Sequence, residues 1–194
     1  TNKQRDKYIN SDRSDKTRWT FTETTSQLIE RLKRGERLYL PTNDPIEFER
    51  KDLPIDPYVL GVLIGDGCMT NSQWTDNRKC LLISNNENDV VKRFASRLKS
   101  TRIVEYKKSY TKSVYCDDAF AIHKYLKDVG LCTYSYNKYI PKEYLFASIE
   151  QRRELLAGLF DTDGCVDDGS FQFTTTSERL CDDVLHLVRS LGYN

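Results

Sequence analysis

The chain has 194 residues, 30% of them charged and 38% hydrophobic, which is enough for one domain of ordinary size or two small ones. Its mean hydropathy is −0.65, and its longest apolar run, within 58–65, is far too short to cross a bilayer. Thirty Lys and Arg stand against 29 Asp and Glu, for a net charge of +1, so no strong overall attraction to a polyanion is built in. The opening residues, Thr1 to Lys7, lack the apolar stretch of a signal peptide. Cys68, Cys80, Cys116, Cys132, Cys165 and Cys181 are far apart with no Cys-x-x-Cys. That argues against a zinc ribbon and reads as reduced thiols of a cytoplasmic protein.

In chain order, residues 1–18 are polar without a period and predict a loop or tail. Trp19-Thr20-Phe21-Thr22 alternates like a short strand. Thr25 or Ser26 can cap a short helix through Leu28, Ile29 and Leu32 that ends at Gly35, and a strand follows over 37–41. Pro41, Pro45, Pro54 and Pro57 then punctuate an extended linker. Asp56 as cap and Pro57 at the first helical position start an apolar helix. Beyond a polar loop, 79–83 reads as a strand. Ser84-Asn85-Asn86-Glu87 has capping-box spacing and opens a helix with Val90, Val91, Phe94 and Leu98 inward. Strands are expected over 102–108 and 112–116, turning at Ser109-Tyr110-Thr111, then a helix over 118–129 ended by Gly130. Later, 171–173 reads as a strand. Thr175-Thr176-Ser177-Glu178 repeats the capping-box spacing before Leu180, Val184, Leu187 and Leu191.

One stretch occurs twice. Val59-Leu60-Gly61-Val62-Leu63-Ile64-Gly65-Asp66-Gly67 returns as Leu156-Ala157-Gly158-Leu159-Phe160-Asp161-Thr162-Asp163-Gly164. Each copy places small residues four apart, Gly61 and Gly65 in the first and Gly158 and Thr162 in the second, hence on one helix face. Such a face lets a second backbone come close. Each copy ends in Asp-Gly. Glycine suits the residue past a helix end, but a carboxylate there meets the negative end of the helix dipole. Two helices packed through their small faces would set Asp66 beside Asp163, and two misplaced acids side by side call for a cation. The residues just after the acids repeat as well: Asp163-Gly164-Cys165-Val166 echoes Asp66-Gly67-Cys68-Met69.

The paired runs resemble the motif of LAGLIDADG homing endonucleases, most closely in the second copy. The first departs from it with Ile64 where the second has Asp161. With Leu53-Pro54-Ile55-Asp56-Pro57-Tyr58 ahead of it, the first copy looks like the intein-borne branch. The resemblance spans roughly 36–194. It implies an α+β fold of two pseudo-symmetric αββαββα repeats, the second incomplete, with curved antiparallel sheets lying over DNA. It divides the chain into 1–52, a flank from the splicing-domain side plus linker; 53–148, a first repeat; and 149–194, the start of a second. It implies site-specific hydrolysis of both strands of double-stranded DNA by a monomer with an internal two-fold. Mg²⁺ or Mn²⁺ would be held by Asp66 and Asp163, helped by the carbonyls of Gly65 and Thr162. Hard cations with carboxylate, water and phosphate ligands suit phosphodiester hydrolysis. Asp161 is expected to be structural. Lys138, in Asn137-Lys138-Tyr139-Ile140-Pro141, looks like the family's basic residue between the motifs, polarising the attacking water or steadying the phosphate. One more exposed lysine is the plainer alternative.

The block 92–112 holds Lys92, Arg93, Arg97, Lys99, Arg102, Lys107, Lys108 and Lys112 against the single acid Glu105. Such a run is usually a solvated face, but beside a metal site it favours a polyanion. A basic two-stranded ribbon fits the major groove. Arg102, Lys107, Lys108, Tyr110 and Lys112 are therefore the expected DNA contacts. Alternation puts Arg102, Val104, Tyr106 and Lys108 on one side without saying which side meets DNA. Two other readings stand beside the endonuclease: a DNA-binding member of the fold that does not cleave, and a fragment of a splicing intein. A Thr-x-x-His motif is missing from the chain, which counts against splicing by these residues alone.

Overall fold

The computed structural model describes residues 23–38, 44–70, 79–107, 109–168 and 170–193. The expectations for 1–18, for a strand at Trp19 to Thr22 and for the end of the 37–41 strand lie outside them. Two compact units are formed, Thr1–Pro41 and Thr42–Asn194. In the first, helix α1 (Thr25–Lys33) begins one residue earlier than either candidate cap allows. Thr24 is the cap, its hydroxyl accepting the Gln27 N–H while the Gln27 side chain accepts the Thr24 N–H.

The second unit is α+β with antiparallel sheets. Helix α2 (Pro57–Asp66) starts as its sequence dictates, with the Asp56 carboxylate accepting the N–H groups of Tyr58 (3.0 Å) and Val59 (3.2 Å). It is apolar all round because it is buried all round: Tyr58 through Ile64 are enclosed. The second motif lies in α6 (Ile149–Asp163), which begins well before the apolar run. Its capping box of Ser148 and Gln151 was not foreseen from the sequence.

Strands β1 (Cys80–Ser84), β3 (Thr111–Tyr115) and β2 (Arg102–Glu105) form one antiparallel sheet in that spatial order. Helix α3 (Asn88–Ser96) follows β1, and α4 (Ala119–Asp128) follows β3. After a 3₁₀ turn (Ser135–Asn137) and the short α5 (Lys142–Leu145) comes α6, then the hairpin of β4 (Gly164–Asp167) and β5 (Ser170–Phe173), then α7 (Glu178–Ser190). The core joins α2 and α6 to Leu81, Ile83 and Val114 of the sheet and to Phe94, Ile122, Leu126, Leu180 and Leu187 of the outer helices. Each such side chain contributes roughly 1.5–3 kcal/mol of hydrophobic stabilisation.

Both expected capping boxes after the strands resolve differently. Glu87 is the cap residue of α3 and makes no side-chain cap bond, while Asn85 accepts the Glu87 N–H. Ser177 caps α7 through the Leu180 N–H. Residues 44–52, expected as a linker, run along α6 and α7: Ile46 N–H donates to Ser190 O at 2.9 Å, and Lys51 N–H to Gln151 Oε1 at 3.0 Å. Among the described residues no helix is long and apolar enough to cross a membrane.

Candidate metal centre and nucleic-acid face

The α2–α6 crossing creates the site. A Cβ on Gly61 would stand 2.5 Å from the Leu155 carbonyl oxygen, and one on Gly158 would stand 2.4 Å from that of Tyr58. One turn on, a Cβ on Gly65 would meet Thr162 Oγ1 at 2.0 Å and Asp163 Oδ2 at 3.1 Å. The helices therefore touch backbone to backbone, run parallel, and end together. Asp66 is the last residue of one and Asp163 of the other.

Both acids are half-buried. Burial raises the Asp66 carboxyl above its ordinary value, opposed by the Asn85 hydrogen bond and the Lys138 charge. Burial also raises Asp163, and the neighbouring Asp66 charge raises it further, with Lys138 again opposing. Asn85 Nδ2 donates to Asp66 Oδ2 at 2.7 Å. Lys138 is 7% exposed, so the reading of one more solvated lysine does not hold. Its ammonium donates to the carbonyls of Ile64 (2.5 Å), Gly65 (3.0 Å) and Gly67 (3.4 Å). Burial lowers its pKa while Asp163 and Asp66 work against that. Part of the cation that the acids demand is thus a lysine set on the carbonyl end of α2, where a positive charge is favoured.

The residues fit a hard divalent ion. The donors are oxygens, the two carboxylates sit side by side, and their mutual repulsion is what a cation would relieve. Among the described residues no third His, Cys, Asp or Glu joins them. The Gly65 carbonyl already accepts from Lys138, whereas the Thr162 side chain turns back on its helix to Gly158 O (3.1 Å) and Leu159 O (2.9 Å). Asp161 lies apart from the acid pair. Its carboxylate accepts Tyr58 Oη (2.7 Å) and Arg93 Nη1 (3.2 Å).

The basic block divides. Arg93 and Arg97 bind Glu154 at 3.3 and 2.7 Å, and the Arg93 guanidinium covers the Tyr58 ring at 4.0 Å; both hold α3 to the motif helices. In the sheet, Leu81 pairs with Val114 and Val114 with Ile103, so these three share the core face. Glu105 and Ile83 pair with Lys112 and put it on that same face. Lys112 was expected, with Arg102, among the DNA contacts. Instead it is buried, its ammonium on Asn88 Oδ1 (3.0 Å) and Glu105 (3.4 Å). The opposite face carries Arg102 over the Tyr115 ring at 4.6 Å. It also carries Val104, Ser113 and Thr111, with Thr111 sharing a hydroxyl hydrogen bond with Ser84 at 3.0 Å. Lys107 and Tyr110 are exposed beyond the strand ends; Lys108 lies outside the described residues. Sequence reasoning passed over Asn85, which reads as a turn residue, and its only signal was its place just after a strand that pairs beside Asp66.

A replicative DNA helicase DnaB from Mycobacterium intracellulare is 33% identical to this chain over 149 residues, 76% of the chain and 21% of the helicase. The chain thus spans about a fifth of that relative's length. A solved structure described as a mesophilic variant of the homing endonuclease I-DmoI superposes with a TM-score of 0.43 at 15% identity, over 72% of this chain and 77% of that one. Residues 150–194, which hold the second motif helix with its terminal Asp163, the β4–β5 hairpin and α7, match the family model of the LAGLIDADG-like domain.

Proposed function

We propose that the chain is a site-specific DNA endonuclease of the intein-borne LAGLIDADG type. The observation that carries this reading is the pair Asp66 and Asp163, delivered to one place by two glycine-crossed helices. The match of 150–194 to the LAGLIDADG-like domain supports it. Alignment to a fifth of a DNA helicase is what a nuclease carried within a host protein would give. Asp66 and Asp163 would hold Mg²⁺ or Mn²⁺, whose charge stabilises the attacking and leaving oxygens of a phosphodiester. Lys138, with its ammonium engaged by three carbonyls, acts through its field. It opposes the rise that burial gives both carboxyls and adds positive charge beside the phosphate. The Gly65 and Thr162 carbonyls remain candidate ligands. Duplex DNA would lie across the face that carries Arg102, with Lys107 and Tyr110 at its edge; Lys108 remains a candidate contact from its sequence alone. The protein would act as a monomer, because one chain supplies both acids.

The test is strand cleavage of a duplex carrying the host coding sequence with the insertion removed, with Mg²⁺ and with chelator. Asp66→Asn and Asp163→Asn should each lower the rate by at least ~100-fold, the loss expected when one charge-stabilising group is removed, while the duplex is still bound. A folded parent that binds the duplex and leaves it intact would make this a DNA-binding protein and not a nuclease.

A further inference from the structure

Asp66 and Asp163 receive unequal support. Asn85 Nδ2 donates to Asp66 Oδ2 at 2.7 Å. The amide is itself fixed, because Asn85 Oδ1 accepts the Glu87 N–H at 2.7 Å and the side chain is buried. The corresponding position in the second half can be located in two independent ways. By strand register, Gly67 is bridged to Ile83 and Gly164 pairs with Phe173; two residues on stand Asn85 and Thr175. By helix caps, Asn85 precedes the cap residue Glu87 by two, and Thr175 precedes Ser177 by two. Thr175 Oγ1 accepts the Ser177 N–H at 3.2 Å, as Asn85 Oδ1 accepts that of Glu87. Threonine makes the turn with its single hydroxyl oxygen and lacks the separate amide arm with which Asn85 reaches Asp66. Among the described residues no side chain donates to the Asp163 carboxylate.

We propose that Asn85 is a positioning residue that fixes the Asp66 carboxylate, that Thr175 does not do the same for Asp163, and that the two DNA strands are in consequence cut at unequal rates. The strand claim rests on the endonuclease reading; the positioning claim does not. A carboxylate locked in one orientation meets an ion without reorganising, whereas a free one must be ordered first.

Two measurements decide. In the metal-free protein, one Asn85 side-chain amide proton should resonate well downfield of an ordinary amide in a ¹H–¹⁵N spectrum. That shift should collapse in Asp66→Ala and persist in Asp163→Ala. An Asn85 amide indifferent to Asp66→Ala overturns the proposal whatever the activity. In the second, the strands of the same duplex carry different end labels and are followed separately. Asn85→Thr should slow the faster strand by about 10-fold, as loss of an outer-shell partner does, and Thr175→Asn should speed the slower one. Both changes bring the rate ratio toward one. Equal rates in the parent, or a ratio that neither substitution moves, overturn it. Should Asn85→Thr fail to fold, Asn85→Asp retains the acceptor for Glu87 N–H without the donor and must slow the same strand. Absence of any cleavage removes the endonuclease reading and the strand claim together, while the amide signal still decides the positioning claim.

Discussion

The Cα of Gly61 lies 3.1 Å from the point where a side chain on Gly158 would begin. Both helices meet through backbone there, so no flexible side-chain end is available to yield. Gly61→Ala should therefore separate α2 from α6 at a cost of about 1–3 kcal/mol, the range for overpacking a filled core. Because both acids sit at the ends of those helices, cleavage should fall further than stability. Urea unfolding and a nicking assay on the same variant check it, and a midpoint equal to the parent's would mean that the helices part at no cost.

The acid pair sets a pH dependence. The folded-state pKa of Asp163 is raised by burial and by Asp66, so the metal-free fold prefers the protonated acid. The stability from this group is fully present below the ordinary carboxylate pKa of about 3.9 and is lost as pH rises through the folded value. Asp163→Asn keeps the shape without the charge. In chelator it should melt above the parent at neutral pH, with the gap closing as pH falls toward about 4. Mg²⁺ should raise the parent's midpoint and leave the variant's nearly unmoved. Calorimetry across pH measures both, and a variant that melts lower at neutral pH would contradict the repulsion.

Binding to duplex DNA should distinguish the two faces of the sheet. Arg102→Ala and Lys107→Ala should each weaken affinity and reduce the slope of log affinity against log salt by about one unit. Lys112→Ala should leave that slope unchanged and destabilise the fold instead, because it strips the partner from Asn88 Oδ1 and from Glu105. Its cost should be about 0.5–1.5 kcal/mol, that of a lost hydrogen bond, because Asn88 and Glu105 are exposed and regain water. A flattened slope for Lys112→Ala with unaltered stability would return it to the DNA surface.

These contrasts mark what the sequence makes legible. The motif helices are readable because small residues four apart and an acid at each end are local facts, as is the Asp56-Pro57 start. Lys112 is different. Alternation separates two faces without naming them, and only pairing with Glu105 and Ile83 fixes which one it joins. Lys138 reads as a basic residue near the acids, but its grip on the carbonyl end of α2 depends on how the chain returns between the two motif helices. Arg152 is the clearest omission. Beside Arg153 it looks solvated, yet it is fully buried. Its guanidinium donates to the carbonyls of Ala147 (2.9 Å) and Ser190 (2.9 Å) and to that of Ile46. A cation satisfied by backbone oxygens from three separate segments leaves no pattern in the sequence.

The Lys138 carbonyl accepts the Ser177 hydroxyl at 2.7 Å while its ammonium holds the end of α2, so the cap of α7 and the acid pair are tied through one residue. Tyr58 reaches Asp161 across 103 positions of sequence, and Asn85 reaches Asp66 across 19. Contacts so distant along the chain close late in folding, since the intervening loop must be ordered before they return any energy. A polypeptide emerging from the ribosome can form α2 early, but Asp66 does not meet Asp163 until α6 has been made and docked. The two carboxylates then come together in one step, with the docking of α6, and a chain made only through α2 holds no such pair.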